Sequence, residues 1–419
     1  MRLLAVLLSY LVFFLALPFL LTHPKLRHGI AARLGFYPRD WPRLVPGPRL
    51  LLHGASAGDV LALIPLAREI KARRPDVQLV ISTITNSGRA MAERHQGLFG
   101  AITYLAYDLP GAVARMLRRV RPNLIVLEYT ELWPRLIRSA RKRGIKLVLH
   151  NGRLSDARLG RYRWLFSLTG NLLLAFELLL MRDDDEAEAA RRLGARELQI
   201  RVTGNTKFDN LDVEPNPATV AQVRAATAWP SDAPVWVAGS THEGEEEALL
   251  DLFVALQRTT PALRMIVAPR YTERAERVMT LAVRRGLKAR LRSKSGGSPD
   301  VLVLDTIGEL AASYELGALV FVGGSFVPRG GQNILEPAAR GKPVLFGPYM
   351  HNFADSVQVL LGRGGIQVAS PTQLQRVLAD LLAHPEHAQE LGAMARDQVM
   401  AVRGAAAKNA GLIVELLKR

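Results

Sequence analysis

The chain contains no cysteine, which excludes disulfides, thiol nucleophiles and cysteine-based metal sites. Acidic residues are outnumbered, 38 against 55 lysines and arginines, and the net charge of +17 predicts an anionic partner. Zinc-finger spacing, an RNP-like aromatic strand and an isolated basic arm are all missing from the sequence. We therefore expect no nucleic-acid partner, and an anionic membrane explains the charge more simply.

Long hydrophobic runs are confined to the amino terminus. Leu3 to Leu21 carries no charge, and as a helix it would just span a bilayer core of about 30 Å. No small-residue cleavage site follows it, so an uncleaved secretory signal is the alternative. The positive-inside rule predicts a single-pass anchor, residues 1–22, with the rest of the chain cytoplasmic, because basic residues follow the run at Lys25, Arg27, Arg33, Arg39 and Arg43. Residues 23–48 form a basic segment expected to lie against anionic lipids.

The remaining length suits two α/β domains. Apolar runs, small-residue turns and helical patterns alternate, which predicts strands at 49–53, 77–83, 124–127, 146–150, 176–181, 235–238, 264–267, 301–304, 319–322 and 344–347. The winding is Rossmann-like, although the G-x-G-x-x-G fingerprint is absent. We predict an N-terminal domain at 49–210 and a C-terminal domain at 211–419, whose last helix is expected to pack back on the first domain.

The stretch from Ala318 to Pro348 predicts a compact βαβ unit with glycines on both sides of its helix. Gly323-Gly324-Ser325 ends the first strand, and Gly330-Gly331 opens a helix predicted at 332–340. Free N–H groups at the start of that helix favour an anion, and Glu336 is placed to accept hydrogen bonds from sugar or ribose hydroxyls. We interpret the stretch as a nucleotide-sugar phosphate site; the alternative is that the paired glycines only make turns.

Polar residues follow several other strands at the edge where doubly wound sheets bind ligands. Glu131 and Arg153 follow two neighbouring strands, with helix capping or pairing to each other as the alternative, and Arg270 offers a guanidinium after a third. The triplet Asp183-Asp184-Asp185 leads into a helix and is expected to cap it, whereas the alternative is a metal-bound nucleotide.

The motifs in their order resemble one known family. They are S-T-x-T-x-x-G at 82–88, T-E-L-W-P at 130–134, N-x-R-L-S at 151–155, V-T-G-N-x-K-F-D at 202–209, S-T-H-E-G-E-E at 240–246, F-V-G-G-S at 321–325 and G-G-x-N-x-L-E-P at 330–337. The series is similar to the transferases that move 3-deoxy-D-manno-octulosonic acid (Kdo) from CMP-Kdo to the lipid A precursor lipid IVA. The resemblance implies a GT-B fold, two Rossmann-like domains facing a cleft, inverting transfer at the cell inner membrane, and no metal or other cofactor.

The resemblance also implies roles for particular residues. On the acceptor side it implies Arg89, Glu131 and Arg153, with Lys207 at the hinge. For the cytidine nucleotide and donor sugar it implies Ser240, Thr241, His242, Glu243, Arg270, Thr306, Gly308, Glu309, Gly323, Gly324, Ser325, Gly330, Gly331, Asn333 and Glu336.

The family places a glutamate as general base in the glycine turn after the first strand, and here that residue is Asp59. Three further departures are Tyr129 for a glutamate, Tyr271 for a histidine and Gln332 for a histidine. We expect them to border the cleft and to alter the chemistry. The alternatives are a paralogous transferase with another CMP-activated acidic sugar or another acceptor, a catalytically weak lipid-binding scaffold, and a UDP-sugar enzyme on the same fold.

Overall fold

The computed structural model describes residues 10, 11, 13–19, 22, 23, 28–38, 41, 42, 46–211 and 213–418, and of Asp156 only the backbone. Two compact units are present. One, the N-terminal unit, consists of the described residues up to Asn210 together with those from Arg403 onward, and the other, the C-terminal unit, is Leu211–Val402.

The N-terminal unit contains a parallel sheet of seven strands in the order β3-β2-β1-β4-β5-β6-β7. The strands are rich in leucine, isoleucine and valine and are buried, as expected for a parallel sheet covered on both faces. The strand order reverses between β1 and β4, which is where doubly wound folds bind ligands. The bounds are β1 Arg49–His53, β2 Gln78–Thr83, β3 Ala101–Tyr104, β4 Leu124–Glu128, β5 Lys146–Gly152, β6 Leu178–Met181 and β7 Ile200–Val202.

The helices of the N-terminal unit cover both faces of this sheet, and the two faces carry separate apolar clusters. The last helix of the chain, Ala405–Lys418, packs on the helix Ala57–Arg73, and its Ala410 and Ile413 are fully buried. Both oxygens of Asp209 accept backbone N–H bonds at the start of that last helix, from Gly404 at 2.6 Å and Ala406 at 2.7 Å. The remaining bounds are α1 Ile30–Arg33, α2 Ala57–Arg73, α3 Asn86–Arg94, α4 Pro110–Val120, α5 Pro134–Arg141, α6 Leu159–Thr169 and α7 Asp184–Arg192.

The C-terminal unit repeats the plan, with seven parallel strands in the order β10-β11-β9-β8-β12-β13-β14 and the reversal between β8 and β12. Its strands are β8 Val235–Thr241, β9 Arg264–Pro269, β10 Ala289–Leu291, β11 Val301–Val303, β12 Leu319–Val322, β13 Val344–Phe346 and β14 Gly365–Gln367. Its helices are α8 Pro217–Thr227, α9 Glu246–Gln257, α10 Ala275–Arg284, α11 Leu310–Leu316, α12 Leu335–Ala339, α13 Ala354–Leu360, α14 Pro371–Ala383 and α15 Pro385–Val402, so the helix Ala405–Lys418 is α16.

Most predicted boundaries lie within two residues of the observed ones, but two are wrong by three residues. The predicted strand at 235–238 ends too early, because β8 continues to Thr241 through a register shift at Ser240, which has a φ of 55°. The predicted helix at 332–340 begins only at Leu335, since the Asn333 side chain accepts a hydrogen bond from the Leu335 N–H at 3.1 Å. The backbone before it follows the left-handed glycines 330 and 331 instead of a helix.

At the amino terminus, residues 10, 11, 13–19 and 22 are helical. Phe13 packs on Tyr107 with ring centroids 5.0 Å apart, and the Gly111 N–H donates to the Tyr10 hydroxyl at 3.3 Å. Among the described residues, no helix is both long and apolar enough to cross a membrane. Residues 1–9, 12, 20 and 21 of the predicted anchor, and 24–27, 39, 40 and 43–45 of the basic segment after it, lie outside the described residues.

Candidate functional site

At the carboxyl edge of the first sheet, Asp59 lies at the third position of α2, directly after β1. Its Oδ2 atom accepts a hydrogen bond from the Ser56 backbone N–H at 2.8 Å, so the carboxylate is held over the start of the helix. The Oδ1 atom has no hydrogen-bond partner among the described residues, and the side chain is half-buried. Asp59 therefore has a fixed position and one oxygen available to a ligand.

The end of β4 lies close to Asp59. Tyr129 follows the strand with a left-handed φ of 53°, a strained conformation of the kind that accumulates at functional sites. Burial raises the pKa of the Tyr129 phenol, and the nearby carboxylates of Glu128 and Asp59 raise it further. The phenol is therefore neutral, and it stands close to the Asp59 carboxylate at the position where the family resemblance implies a second acidic side chain.

A buried polar network lies beneath this edge. Glu128 has no exposed surface, and it accepts hydrogen bonds from His150 Nδ1 at 2.6 Å and Asn151 Nδ2 at 2.7 Å. The Asn151 side-chain amide also donates to the Thr206 hydroxyl at 2.7 Å. This bond joins the ends of β4 and β5 to the turn Thr206–Asn210. Burial raises the pKa of Glu128, while His150 and Asn151 lower it. The network fixes the backbone from which Tyr129 and Arg153 project.

The four predicted acceptor-side residues all lie in the N-terminal unit, but they differ in availability. Glu131 accepts a hydrogen bond from Trp133 Nε1 at 2.9 Å, and its Oε2 is 3.6 Å from His53 Nε2. Arg89 pairs with Glu93 at 2.8 Å, which the sequence analysis did not anticipate. Arg153 is exposed and has no ion pair in the described part of the chain, so its guanidinium is available to a ligand, and Lys207 is exposed in the turn Thr206–Asn210. Glu131 and Arg153 therefore do not pair with each other.

In the C-terminal unit, the loops predicted to meet are those after β11, β9, β8 and β12. These four strands are consecutive neighbours and all parallel, so their carboxyl ends form one continuous edge. Ser240 to Glu243, Arg270, Thr306 to Glu309 and Gly323 to Ser325 stand along that edge. The structure thus brings the predicted donor loops together within one unit.

The glycine loop after β12 already contains an anion from the protein. Glu245, 1% exposed, accepts backbone N–H bonds at Oε2 from Gly324 at 2.8 Å and at Oε1 from Ser325 at 3.1 Å and Phe326 at 2.9 Å. The Gly324 and Ser325 N–H groups, at two positions where the family resemblance implies nucleotide contacts, therefore donate to the protein itself. Those donors bind a side chain that the sequence analysis overlooked.

The second glycine pair has a packing role. Gly330 and Gly331 have φ of 88° and 79°, and a Cβ at these positions would lie 2.1 Å from Asn352 Nδ2 and 2.3 Å from Met350 Sδ. Asn333 Nδ2 donates to Glu336 Oε1 at 3.0 Å, and Leu335 N–H is taken by Asn333. The half-buried Glu336 carboxylate thus accepts a hydrogen bond from Asn333, and the first N–H group of the helix is already engaged by a side chain.

Cationic side chains gather where β8 and β9 end. The His242 ring stands edge-on to Tyr271, with centroids 5.8 Å apart, and the Arg270 guanidinium lies 5.8 Å from the Tyr271 centroid. Burial lowers the pKa of His242, and the positive charges of Arg329 and Arg270 lower it further. Arg329, which is exposed and has no described ion pair, was missed by the sequence analysis although it directly precedes the Gly330-Gly331 pair.

The buried Nε2 atom of His242 has no hydrogen-bond partner within the described ranges. A buried nitrogen without a partner is costly, and it is satisfied when a ligand atom reaches it. The predicted neighbour Glu243 instead points to the surface, where it pairs with Arg274 at 3.4 Å and Arg277 at 3.2 Å. His242, Arg270 and Arg329 therefore form a candidate anion-binding corner of the C-terminal unit.

The loop after β11 is rigid at its base and apolar at its tip. Glu309 binds Arg292 at 2.8 Å and also the Thr306 hydroxyl, and Gly308 has a φ of 91°. Between them Ile307 is 91% exposed. A loop with this shape can place an apolar side chain against the flat face of a nucleotide base.

Among the described residues, no group of three or more histidines, aspartates and glutamates could hold a metal ion. The acidic triplet behaves as a cap: Asp183 Oδ1 accepts from the Glu186 N–H at 2.8 Å at the start of α7. Glu186 in turn pairs with Arg182.

Two doubly wound parallel sheets, each with polar groups gathered at its carboxyl edge, define a protein of the GT-B glycosyltransferase fold. Among solved structures, UDP-GlcNAc 2-epimerase from Neisseria meningitidis bound to UDP-GlcNAc matches with a TM-score of 0.56 and 13% identity, covering 88% of this chain and 99% of that chain. Anabaena Alr3699/HepE in complex with UDP matches with a TM-score of 0.56 and 14% identity, covering 88% and 100%. At these identities the likeness shows the fold alone.

The chain belongs to the Kdo transferase family. The family model described as 3-deoxy-D-manno-octulosonic-acid transferase (kdotransferase) matches residues 28–210. The 3-deoxy-D-manno-octulosonic acid transferase of Haemophilus influenzae is 31% identical over 405 residues, 94% of this chain and 93% of the relative. That of Bordetella pertussis is 33% identical over 373 residues, 84% of each chain. The protein is therefore a glycosyltransferase, as the sequence motifs indicated.

Proposed function

We propose that the enzyme transfers Kdo from CMP-Kdo to the lipid A precursor lipid IVA during lipopolysaccharide core biosynthesis. The observation that carries the proposal is the similarity to two proteins named Kdo transferases over 84% or more of this chain. The anion-binding corner and the partly free Asp59 carboxylate support it, because sugar transfer needs a site for a phosphate and a base for a hydroxyl.

The donor is proposed to bind to the C-terminal unit. CMP carries a single phosphate, and the cations at the carboxyl edge, Arg270 and Arg329, both close enough to the His242 ring to lower its pKa, can balance the charge that develops on that phosphate. This arrangement supports metal-independent transfer. Ile307 and Glu336 are proposed to contact the base and a sugar hydroxyl, respectively.

The base is proposed to be Asp59. As the acceptor oxygen forms a bond to the anomeric carbon, the bond from that carbon to the phosphate oxygen breaks and its electron pair leaves with CMP. The acceptor's proton passes to Asp59 Oδ1, the oxygen that Ser56 does not engage. Attack opposite the leaving group inverts the anomeric centre. Arg153 is the cation proposed to meet the acceptor's phosphate.

A second candidate is a paralogous transferase that uses another CMP-activated acidic sugar or another acceptor. Tyr271 favours it, because this departure from the family lies against both His242 and Arg270. A Cβ at Gly324 would lie 3.6 Å from Gln332, so a second departure borders the glycine loop. Tyr129, near Asp59, is the third.

The enzyme is proposed to act at the cytoplasmic face of the inner membrane. Large apolar side chains are exposed at three places on the N-terminal unit: Phe14, Leu15 and Phe19 on the helical residues near the amino terminus, Phe36 after α1, and Trp164 and Leu168 on α6. Exposed arginines such as Arg161 and Arg163 lie beside Trp164 in the sequence. Apolar and basic side chains together suit an anionic bilayer surface. Flotation of the full chain with vesicles of zwitterionic or anionic lipid tests this, and an equal lack of binding to both would contradict it.

The decisive experiment is product analysis. The full chain is incubated with CMP-Kdo and a tetra-acylated lipid A precursor, and the products are analysed by mass spectrometry. A mass increase of one or two Kdo units is expected, and the increase gives the number of sugars added. Calorimetry with CMP and UDP accompanies it. CMP binding without product formation would favour the paralogous transferase, preference for UDP would point to a UDP-sugar enzyme, and binding of neither nucleotide would overturn both transferase proposals.

A further inference from the structure

Glu245 joins the ends of the two strands at which the order of the C-terminal sheet reverses. It precedes α9, and its carboxylate accepts four backbone hydrogen bonds: from His242 after β8 at 2.9 Å, and from Gly324, Ser325 and Phe326 after β12 at 2.8, 3.1 and 2.9 Å. The side chain is 1% exposed, and the described residues include no cation paired with it. The loop N–H groups could otherwise bind an anion, but they donate instead to a side chain of the protein itself.

The glycines of this loop fit the carboxylate closely. A Cβ at Gly323 would lie 2.9 Å from Glu245 Oε2 and 2.6 Å from Thr241 Cα, so only glycine lets β8 and β12 end this close together. Gly324 has a φ of 65°, which turns its N–H toward Glu245 and its Cα toward His242, where a Cβ would lie 3.1 Å from the ring. The fit to Glu245 therefore explains the glycine pair without a donor, and the pair alone is not evidence for a nucleotide.

We infer that Glu245 is a positioning residue for the donor site: its carboxylate shapes the glycine loop and bars the donor's phosphate from the loop N–H groups. The phosphate must then be bound by side-chain cations. The inference rests on the proposed function, because it takes the donor to be a CMP-sugar. It assigns a role to a residue that the family motifs do not place at the nucleotide.

The chemistry of the cavity suggests a direct test. In Glu245→Ala the four N–H groups lose their acceptor, and a small carboxylate such as acetate or formate can take its place. Neutral acetamide, with a similar shape, and chloride at equal ionic strength are the controls. The matched control variant is Glu247→Ala, which removes an exposed glutamate from the first turn of α9.

Hydrogen exchange of the Gly324 to Phe326 amides is measured without nucleotide, and CMP affinity and donor kcat/KM are measured with it. We expect faster exchange and a loss in kcat/KM of about 100-fold in Glu245→Ala, the order expected for a misplacement of about 1 Å. Acetate and formate should restore both, whereas acetamide and chloride should not, and Glu247→Ala should resemble the wild type. If Glu245→Ala does not fold, it is replaced by Glu245→Gln, which keeps the size of the side chain but presents an amide. The second measurement is then whether Glu245→Ala recovers its fold when it is refolded in acetate.

The outcomes separate the two proposals. Unchanged CMP affinity and kcat/KM in a folded Glu245→Ala protein, or exchange that acetate does not slow, would overturn the positioning role. A wild type that binds no CMP, while its loop amides still depend on Glu245, would refute the proposed donor and leave the loop's internal anion established.

Discussion

Asp59 and Ser56 are joined across the first turn of α2, where the Asp59 carboxylate accepts the Ser56 N–H at 2.8 Å. The same side chain is therefore a helix cap and the proposed base. An asparagine can keep the first role, since its side-chain oxygen accepts the same hydrogen bond, but it cannot take up a proton. The two roles can be separated by one substitution.

We predict that Asp59→Asn lowers kcat by about 10²–10⁴-fold, the usual range for loss of a general base. CMP affinity should stay unchanged, and the free energy of unfolding should fall little because the cap remains. Asp59→Ala should lose both the rate and about 1 kcal/mol of unfolding free energy. Rates are measured with saturating donor and acceptor, and stability by urea unfolding. Turnover in Asp59→Asn within a few-fold of the wild type would assign the base to another group.

The sequence predicted the strands well because parallel strands buried on both faces are continuous apolar runs that end abruptly at small or polar residues. β1 Arg49–His53 and β12 Leu319–Val322 have the predicted bounds. The short strands β3, β7, β10 and β14 were missed. All four are edge strands of their sheets, and residues 200–202 and 365–367 are partly exposed, which weakens the hydrophobic signal.

The candidate site was predicted less completely. Sequence motifs indicate which loops share a sheet edge, so Arg270 and Thr306 could be placed. They do not show that a loop's N–H groups are already occupied, because Glu245 reaches Gly324 across 79 residues of chain. The sequence did contain one signal for this contact. Glu245 is an acidic residue in the S-T-H-E-G-E-E motif, which follows the strand next to the one that ends at the glycine pair. Arg329 could have been found as a cation directly before the second pair.

Glu128 and His150 provide a prediction about stability. Glu128→Ala should cost about 3–5 kcal/mol of unfolding free energy, because His150 and Asn151 would be left buried without their acceptor. Glu128→Gln should cost less, since the amide oxygen can still accept one bond. Urea unfolding monitored by circular dichroism measures both. The exposed Glu177→Ala, in the same unit, is expected within about 0.5 kcal/mol of the wild type. A loss equally small in Glu128→Ala would show that the network does not stabilise the unit.

His242 predicts a pH dependence of donor binding. Its pKa lies below the ordinary 6.5 in the unliganded protein, owing to burial and then to Arg329 and Arg270, so the ring is neutral at pH 7.5. A bound anion favours the protonated ring and raises that pKa. CMP affinity should therefore increase as the pH falls through the pKa of the complex, with proton uptake on binding.

Calorimetry between pH 7.5 and 5.5 in buffers of different ionisation enthalpy measures both quantities. CMP itself takes up a proton in this range, so the comparison is with His242→Asn, which shares that contribution. Equal pH slopes for the two proteins would show that His242 does not contact the anion. The effect on stability without nucleotide is the reverse of the effect on binding. Because the His242 pKa is lower in the folded protein than in the unfolded chain, protonation favours the unfolded chain, and this histidine's contribution to stability falls as the pH drops below about 6.5.

Arg329 provides the last prediction. Because the Gly324 and Ser325 N–H groups bind Glu245, the charge of the donor's phosphate must be met by side chains, and Arg329 is an exposed cation close enough to His242 to lower its pKa. Arg329→Gln should weaken CMP binding by about tenfold or more, equivalent to about 1.4 kcal/mol, and should reduce the salt dependence of binding. Arg284→Gln removes an equal charge from the far end of α10 and should leave affinity and salt slope unchanged. Calorimetry from 50 to 300 mM salt distinguishes a local contact from a general field effect. Similar losses of CMP affinity in both variants would mean that Arg329 acts only through net charge. A loss confined to Arg329→Gln would place the phosphate beside it.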